Sequence, residues 1–199
     1  MKLVMQERRI DKLMNEADLN TSEKSFLSSL KHFIRTKGRL SSKQWSAFQK
    51  VEYRHSPAFL QDKKAWIDSW DADKSRKARI AAEYYSHNKP WYQDLSEAIL
   101  ADEEYIPSER DYRKLVENKY VQNVFKMLEA DPLYPVGSLV KIRSIPTVPR
   151  NLRDRIALVI SNDGVIKSAT RGSRPYKVLP FGYSSTIEVS ESRLKKKRR

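Results

Sequence analysis

Apolar residues along the first two thirds of the chain recur at the spacing of amphipathic helices. The clearest stripe follows the positions i, i+1, i+4, i+7 and i+8, which share one face of a helix. Its members are Phe26, Leu27, Leu30, Phe33 and Ile34. Shorter stripes of the same kind predict further helices up to about residue 131, so we expect this part of the chain to be helical.

Capping signals place the ends of the first helices. Thr21 or Ser22 can cap the helix that carries the clearest stripe, and Gly38 is the residue expected just after its end. Ser41, with a glutamine three residues later, forms the pattern of a capping box and predicts the start of the next helix. Residues 22–54 are therefore predicted to form a helical hairpin.

Prolines divide the rest of the helical part. Pro90 is expected in the first turn of a helix that continues through Trp91. Ser108 is expected to cap one long helix, which ends at Asp131 because the residue before Pro132 disfavours the α conformation.

Beyond residue 132 the pattern changes to short runs rich in β-branched residues, separated by glycine and proline. Such runs predict β-strands, and their close spacing predicts a small barrel. The predicted strands are 139–143, 156–160, 165–170, 176–179 and 186–189. The sequence therefore predicts an α+β fold, with a helical domain over 1–131, a five-stranded β-barrel over 132–194 and a basic tail over 195–199.

Positive charge is concentrated in the predicted barrel and tail. The chain of 199 residues has a formal net charge of +14. Residues 1–131 hold 24 Lys/Arg against 21 Asp/Glu, whereas residues 132–199 hold 15 against 4, a net charge of +11. This asymmetry indicates a polyanion-binding module attached to a nearly neutral helical part.

Composition narrows the class of protein further. The chain has no cysteine, which excludes disulfides and thiolate zinc sites. No run of about 18 apolar residues is present, so no membrane partner is expected. Residues 1–9 become charged too early for a signal peptide, and we expect a cytoplasmic protein, or a nuclear one in a eukaryote.

Two segments resemble known families. Residues 134–143, with the later segments 176–182 and 187–194, resemble the opening strand and closing hairpin of KOW- and Tudor-like small β-barrels. That resemblance implies a docking surface for nucleic acid or protein, without catalysis. Residues 38–44 resemble a helical turn that recurs in bacteriophage and bacterial proteins of DNA metabolism, which implies an accessory role there.

Three basic segments are the candidate nucleic-acid-binding elements, because guanidinium and ammonium groups donate to phosphates and a nearby aromatic ring can stack on a base. The alternative for each is a solvated loop, a flexible connection or a solubilising end; the tail also resembles a nuclear-localisation patch. The candidate residues are Arg150, Arg153, Arg155, Arg171, Arg174, Tyr176, Lys177, Lys195, Lys196, Lys197, Arg198 and Arg199.

Other aromatic residues occur at helical spacing and are predicted to belong to the core. They are Trp66, Trp70, Tyr84, Tyr85, Trp91 and Tyr92. The segment Lys89–Tyr92 is the exception that could instead bind phosphate, because the amides at the start of a helix are free to donate.

Acidic residues give little reason to expect catalysis. The clusters Asp71/Asp73 and 102–104 fall at predicted helix ends, where carboxylates commonly cap or are solvated. A metal-dependent nuclease therefore remains only a remote alternative, and we predict no catalytic residue, metal or cofactor.

Two functions remain. The first is a non-enzymatic accessory protein that binds DNA or RNA through phosphate contacts. The second is an adaptor whose basic module docks on an acidic surface of a polymerase, replication factor or viral assembly.

Overall fold

The computed structural model describes residues 2–197, with side chains from Met5 onward. The chain forms two compact units, the first ending at Ser69 and the second beginning at Trp70. The change from helices to strands falls between Glu129 and Leu139, close to the predicted position. The second unit therefore contains both helices and the sheet.

The first unit consists of four helices. Their bounds are α1 (Lys2–Glu16), α2 (Thr21–Lys37), α3 (Ser42–Arg54) and α4 (Pro57–Asp68). The apolar stripe of α2 turns Leu27, Leu30 and Ile34 into a core shared with α1 and α3, where Phe48 is fully buried.

The capping signals of this unit were correctly predicted at two of three positions. Ser41 and Gln44 form the predicted capping box of α3, and Gly38 adopts the left-handed conformation, with φ of 71°, just after α2. The prediction of Thr21 or Ser22 as the cap of α2 is wrong. Asn20 caps it, because its side chain accepts from the Glu23 amide at 2.9 Å while Glu23 bonds back to the Asn20 amide.

The second unit begins with four helices. Their bounds are α5 (Ala72–Ser86), α6 (Gln93–Ala101), α7 (Glu109–Val116) and α8 (Lys119–Glu129). Ser108 caps α7 as predicted, but the predicted single long helix is divided in two. The break occurs because Asn118 accepts from the amides of Tyr120 and Val121 and so starts a new helix.

The helix after Pro90 begins later than predicted. Residues 89–92 form turns, and α6 starts at Gln93 after Tyr92, whose φ of 51° lies in the left-handed region. The prediction that the neighbouring aromatic residues belong to the core holds for Tyr84 and Tyr85, which are buried. It is wrong for Trp91, which is 69% exposed.

Five antiparallel strands complete the second unit in the order β4-β3-β2-β1-β5. Their bounds are β1 (Leu139–Ile142), β2 (Ile156–Ser161), β3 (Pro175–Pro180), β4 (Ile187–Ser190) and β5 (Leu194–Lys196). One face of the sheet forms the core. The core contains Val148 from the connection between β1 and β2, together with buried side chains from the strands: Val140, Ile142, Ala157, Val159, Tyr176, Val178, Val189 and Leu194.

The α+β class is therefore confirmed, but the predicted closed barrel is wrong. In the described sheet β4 and β5 are the two edges and do not pair with each other. The backbone amides of the 3-10 turn between them form hydrogen bonds with another segment. The Glu191 amide donates to the Arg174 carbonyl and the Ser192 amide to the Gly172 carbonyl, both at 2.8 Å.

One predicted strand is a loop and one observed strand was missed. Residues 165–170 lie in a loop because nearby side chains satisfy its backbone. Asn88 donates to the Lys167 carbonyl at 3.1 Å and Ser173 to the Thr170 carbonyl at 2.5 Å. The fifth strand is instead β5, which includes Lys195 and Lys196 from the predicted tail. None of the described helices has the length and apolar character needed to span a membrane.

Candidate anion-binding groove

Alternation along β1 places two cations on the outer face of the sheet. Val140 and Ile142 point into the core and are fully buried, so Lys141 and Arg143 project to the opposite side. The Arg143 Nε donates to the Leu194 carbonyl at 2.9 Å, which holds the guanidinium against β5.

The pairing of β5 with β1 brings the tail lysines to the same place. Lys195 lies directly opposite Lys141 in the antiparallel ladder. Together these residues line a groove of about 820 Å³, which we call the basic groove. Its lining residues are Lys141, Arg143, Asp154, Ile156, Lys195, Lys196 and Lys197. Five cations and one carboxylate give this lining a formal charge of +4.

Asp154 enters the basic groove from the segment before β2. Its Oδ1 lies 3.1 Å from the Lys141 Nζ and 3.7 Å from the Lys195 Nζ. Its amide donates to the Ile142 carbonyl at 3.0 Å, and its φ is 59°. The hydrogen bond from Lys141 lowers the pKa of the Asp154 carboxyl, with smaller contributions from Ser144 and the charge of Lys195.

Three of the predicted binding residues lie in the basic groove: Lys195, Lys196 and Lys197. Lys195 and Lys196 are not a disordered end, because they belong to β5. Arg198 and Arg199 lie outside the described residues.

Two predicted binding residues are buried, so their predicted contact with nucleic acid is wrong. Arg174 is only 7% exposed, and its guanidinium donates to the carbonyls of Met127 and Ala130 at the end of α8. The Tyr176 ring is fully buried, and its hydroxyl donates to the Glu191 carboxylate at 2.8 Å. Loss of water raises the pKa of Tyr176 to about 12.

The arginines of the segment before β2 are partly occupied by structural contacts. Arg153 donates to the Val148 carbonyl at 2.8 Å, and Arg155 donates to the Asn151 carbonyl at 2.6 Å. The Arg155 guanidinium also lies over the Tyr183 ring, 5.2 Å from its centre. This segment therefore contacts the β3–β4 connection, and it contributes Asp154 rather than its arginines to the basic groove.

The remaining predicted residues are exposed but are not part of the groove lining: Arg150, Arg171 and Lys177. Lys177 lies opposite Glu188 in the β3–β4 ladder, and the Glu188 carboxylate pairs with the Lys167 ammonium at 3.3 Å. The turn 89–92, the other candidate for phosphate binding, exposes Trp91, and the Lys89 ammonium lies 3.6 Å from the Glu97 carboxylate.

The acidic clusters have structural partners. Asp71 caps α5 by accepting from the Lys74 amide at 2.8 Å, and Asp73 pairs with Lys77 at 2.6 Å. Over residues 2–197, no three His, Cys, Asp or Glu side chains come together as a group suited to hold a metal ion.

Sequence reasoning missed three residues of the basic groove: Lys141, Arg143 and Asp154. The alternation of 139–143 already placed both cations on one face of a strand. Their proximity to the tail depends on the pairing of β1 with β5, for which the sequence carries no local signal.

Comparison of the chain with protein-family models, with curated proteins and with solved structures found no match in any of the three. The function of the chain is therefore inferred from its own geometry.

Proposed function

We propose that the protein is a non-enzymatic nucleic-acid-binding accessory protein that holds the phosphate backbone in the basic groove. The observation that carries the proposal is the set of five cations that β1, β5 and the residues next to these strands place around one concavity. Ammonium and guanidinium groups bind phosphate oxygens without reading bases, so we expect little sequence preference.

The charge distribution along the chain supports the same proposal. The segment 132–199 has a net charge of +11, which attracts a polyanion at long range. Each phosphate neutralised by the protein releases counterions, so binding is expected to weaken steeply with salt. The exposed Arg150, Arg171 and Lys177 add to this general attraction even though they lie outside the groove lining.

Point variants test the proposal better than a truncation after Asp131. Helices α5–α8 and the sheet form one compact unit, and Arg174 bonds to the end of α8, so that truncation would divide a folded unit. The double variant Lys141→Gln/Lys195→Gln removes two groove charges from partly exposed positions. Lys63→Gln/Lys64→Gln, on exposed positions of α4, is the matched control for net charge.

The measurement is fluorescence anisotropy with labelled duplex DNA, single-stranded DNA and RNA across a salt series. For duplex DNA the slope of log K against log salt should become shallower by about 0.9 for each phosphate that the variant no longer neutralises. The control variant removes the same number of charges outside the groove, so its slope should stay close to that of the wild type. No binding to any of the three probes at about 20 mM salt, where the Debye length is about 20 Å, would overturn the proposal. Equal slopes for the double variant and the wild type would overturn the assignment to the groove.

A second candidate function, a protein-interaction adaptor, is favoured by a different observation. Leu139, Leu158 and Leu179 lie opposite one another across β1, β2 and β3, on the outer face beside Lys141. Leu139 is 41% exposed. An apolar row beside cations suits a partner surface that combines apolar and acidic residues.

A pull-down from nuclease-treated source lysate, comparing wild type with Leu139→Ser and with the groove double variant, tests the adaptor. A partner that survives nuclease and is lost in both variants would support this function. Loss of every partner on nuclease treatment would argue against it.

A further inference from the structure

Asp154 contributes the single carboxylate among the described residues that line the basic groove. Lys141 and Lys195 face each other across the β1–β5 ladder, an arrangement in which two like charges repel. The same oxygen atom of Asp154, Oδ1, lies within 4 Å of both ammonium groups. The carboxylate thus occupies the position in which an anion would neutralise both lysines.

The backbone holds Asp154 in this position. Its amide donates to the Ile142 carbonyl of β1, and its φ of 59° lies in the left-handed region that aspartate adopts at a cost in free energy. The hydrogen bond from Lys141 lowers the pKa of the Asp154 carboxyl, so the contact with the lysines favours the charged form of the group. A carboxylate that contacts two lysines at once has the effect of an internal counterion.

We propose that Asp154 is the resident counterion of the basic groove, and that a phosphate of the bound polyanion must displace its carboxylate from Lys141 and Lys195. This inference rests on the proposed function. Without ligand, the carboxylate compensates the repulsion between the two lysines and keeps them in place. With ligand, the carboxylate competes with the phosphate for the same ammonium groups and so lowers the affinity for every anion.

The displacement cost applies to every anion, and only a ligand with further contacts offsets it easily. A single phosphate exchanges one counterion for another and gains little, whereas a polynucleotide also contacts Arg143, Lys196 and Lys197 and so displaces the carboxylate at a net gain. We therefore expect the wild-type groove to prefer a contiguous phosphate backbone over inorganic phosphate. Asp154→Asn should strengthen the binding of both ligands, because the carboxamide has nearly the same shape but no charge, and should leave the preference itself unchanged, because the displacement cost is common to both.

The test compares wild type, Asp154→Asn and Asp163→Asn in duplex-DNA binding and in competition by inorganic phosphate. Asparagine tolerates the left-handed conformation, so Asp154→Asn is expected to fold. Asp163 is an exposed carboxylate outside the groove lining, which makes its variant the matched control for charge. A thermal melt of each variant verifies that the fold is retained.

We expect Asp154→Asn to bind the duplex about three- to fiftyfold more tightly at low salt. The range is the Coulomb repulsion between the Asp154 charge and a phosphate about 7 Å away, expressed as a change in affinity. The lower value uses the dielectric constant of water, and the upper value uses that near a protein surface. Asp163→Asn should change the affinity much less, and the inhibition constant of inorganic phosphate should fall in Asp154→Asn by a factor similar to that for the duplex.

Each outcome separates the inference from the function on which it rests. If the wild type binds and Asp154→Asn binds equally or more weakly, the counterion inference is overturned while nucleic-acid binding stands. If both carboxylate variants strengthen binding equally, the effect is one of net charge and the inference is again overturned. If no variant binds the duplex, the proposed function fails and the inference fails with it.

Discussion

Replacing Arg174 is expected to cost stability and to leave phosphate binding in the groove intact. Arg174 is 7% exposed, and its guanidinium donates to the carbonyls of Met127 and Ala130, the latter at 2.6 Å. These carbonyls lie at the end of α8, where the helix leaves acceptors without partners inside the helix. A cation there also interacts favourably with the helix dipole.

The magnitude follows from these contacts. Hydrogen bonds that involve a charged group contribute about 1.5–3 kcal/mol each, and part of that gain is offset by the cost of burying the guanidinium. We expect Arg174→Gln to lower the free energy of unfolding of the second unit by about 2–4 kcal/mol. For a unit of this size the melting temperature should fall by about 10 °C. Arg174→Lys keeps the charge but not the planar fork of donors, so its stability should lie between those of the wild type and Arg174→Gln.

The assay is thermal and denaturant unfolding followed by circular dichroism, with hydrogen exchange resolved to α8 and β3 to identify the unit that loses stability. Arg171→Gln is the matched control, since Arg171 lies three residues away but is exposed, and its effect should stay within about 0.5 kcal/mol. An Arg174→Gln protein that melts like wild type and loses more affinity for duplex DNA than Arg171→Gln does would refute the reasoning. Such a result would return Arg174 to the phosphate-binding role predicted from the sequence.

Three further predictions concern stability. Asn20→Ala should lower the unfolding free energy of the first unit by about 1 kcal/mol through loss of the capping box, whereas Thr21→Ala should have little effect in the same denaturant titration. Gly38→Ala should cost about 1 kcal/mol, because the space around the added Cβ is open and only the left-handed backbone opposes it; a cost near zero would contradict this. Burial raises the pKa of both Tyr85 and Tyr176 to about 12, so the unfolded chain, with values near 10, loses these protons first. Stability should therefore be fully present below pH 10 and decline between about pH 10 and 12, and Tyr176→Phe should make that decline shallower in pH-dependent melts.

Many features of the fold could be predicted because they depend on residues close together in the chain. A capping box joins a residue to its third neighbour, so Ser41 could be identified from the sequence. The left-handed residue after α2 was identified for a similar reason, since glycine adopts that conformation at the least cost. The strand 139–143 was predicted for the same reason, and its alternation puts Lys141 and Arg143 on one face, although neither was predicted as a groove residue.

The predictions that failed depended on contacts distant in the chain. Residues 165–170 have the β-branched pattern of a strand, but Asn88 and Ser173 satisfy part of the backbone of that segment. The predicted closure of the barrel is wrong, since β4 and β5 are the two edges of the sheet and the turn between them donates to the Gly172 and Arg174 carbonyls.

The candidate site likewise has features set by the residues themselves and features set by contacts distant in the chain. The sequence alone established that charge accumulates after residue 132 and that the tail is strongly basic, because charge is a property of each residue type. Arg171 and Arg174 have the same chemistry and nearly the same position in the chain, and folding exposes one and buries the other beneath α8. The pairing of β5 with β1 likewise brought Lys195 to Lys141, and the hydrogen bond from the Asp154 amide to the Ile142 carbonyl brought Asp154 there. Hydrogen bonds between segments and the loss of water on burial decide these roles, and both arise only when distant parts of the chain come into contact.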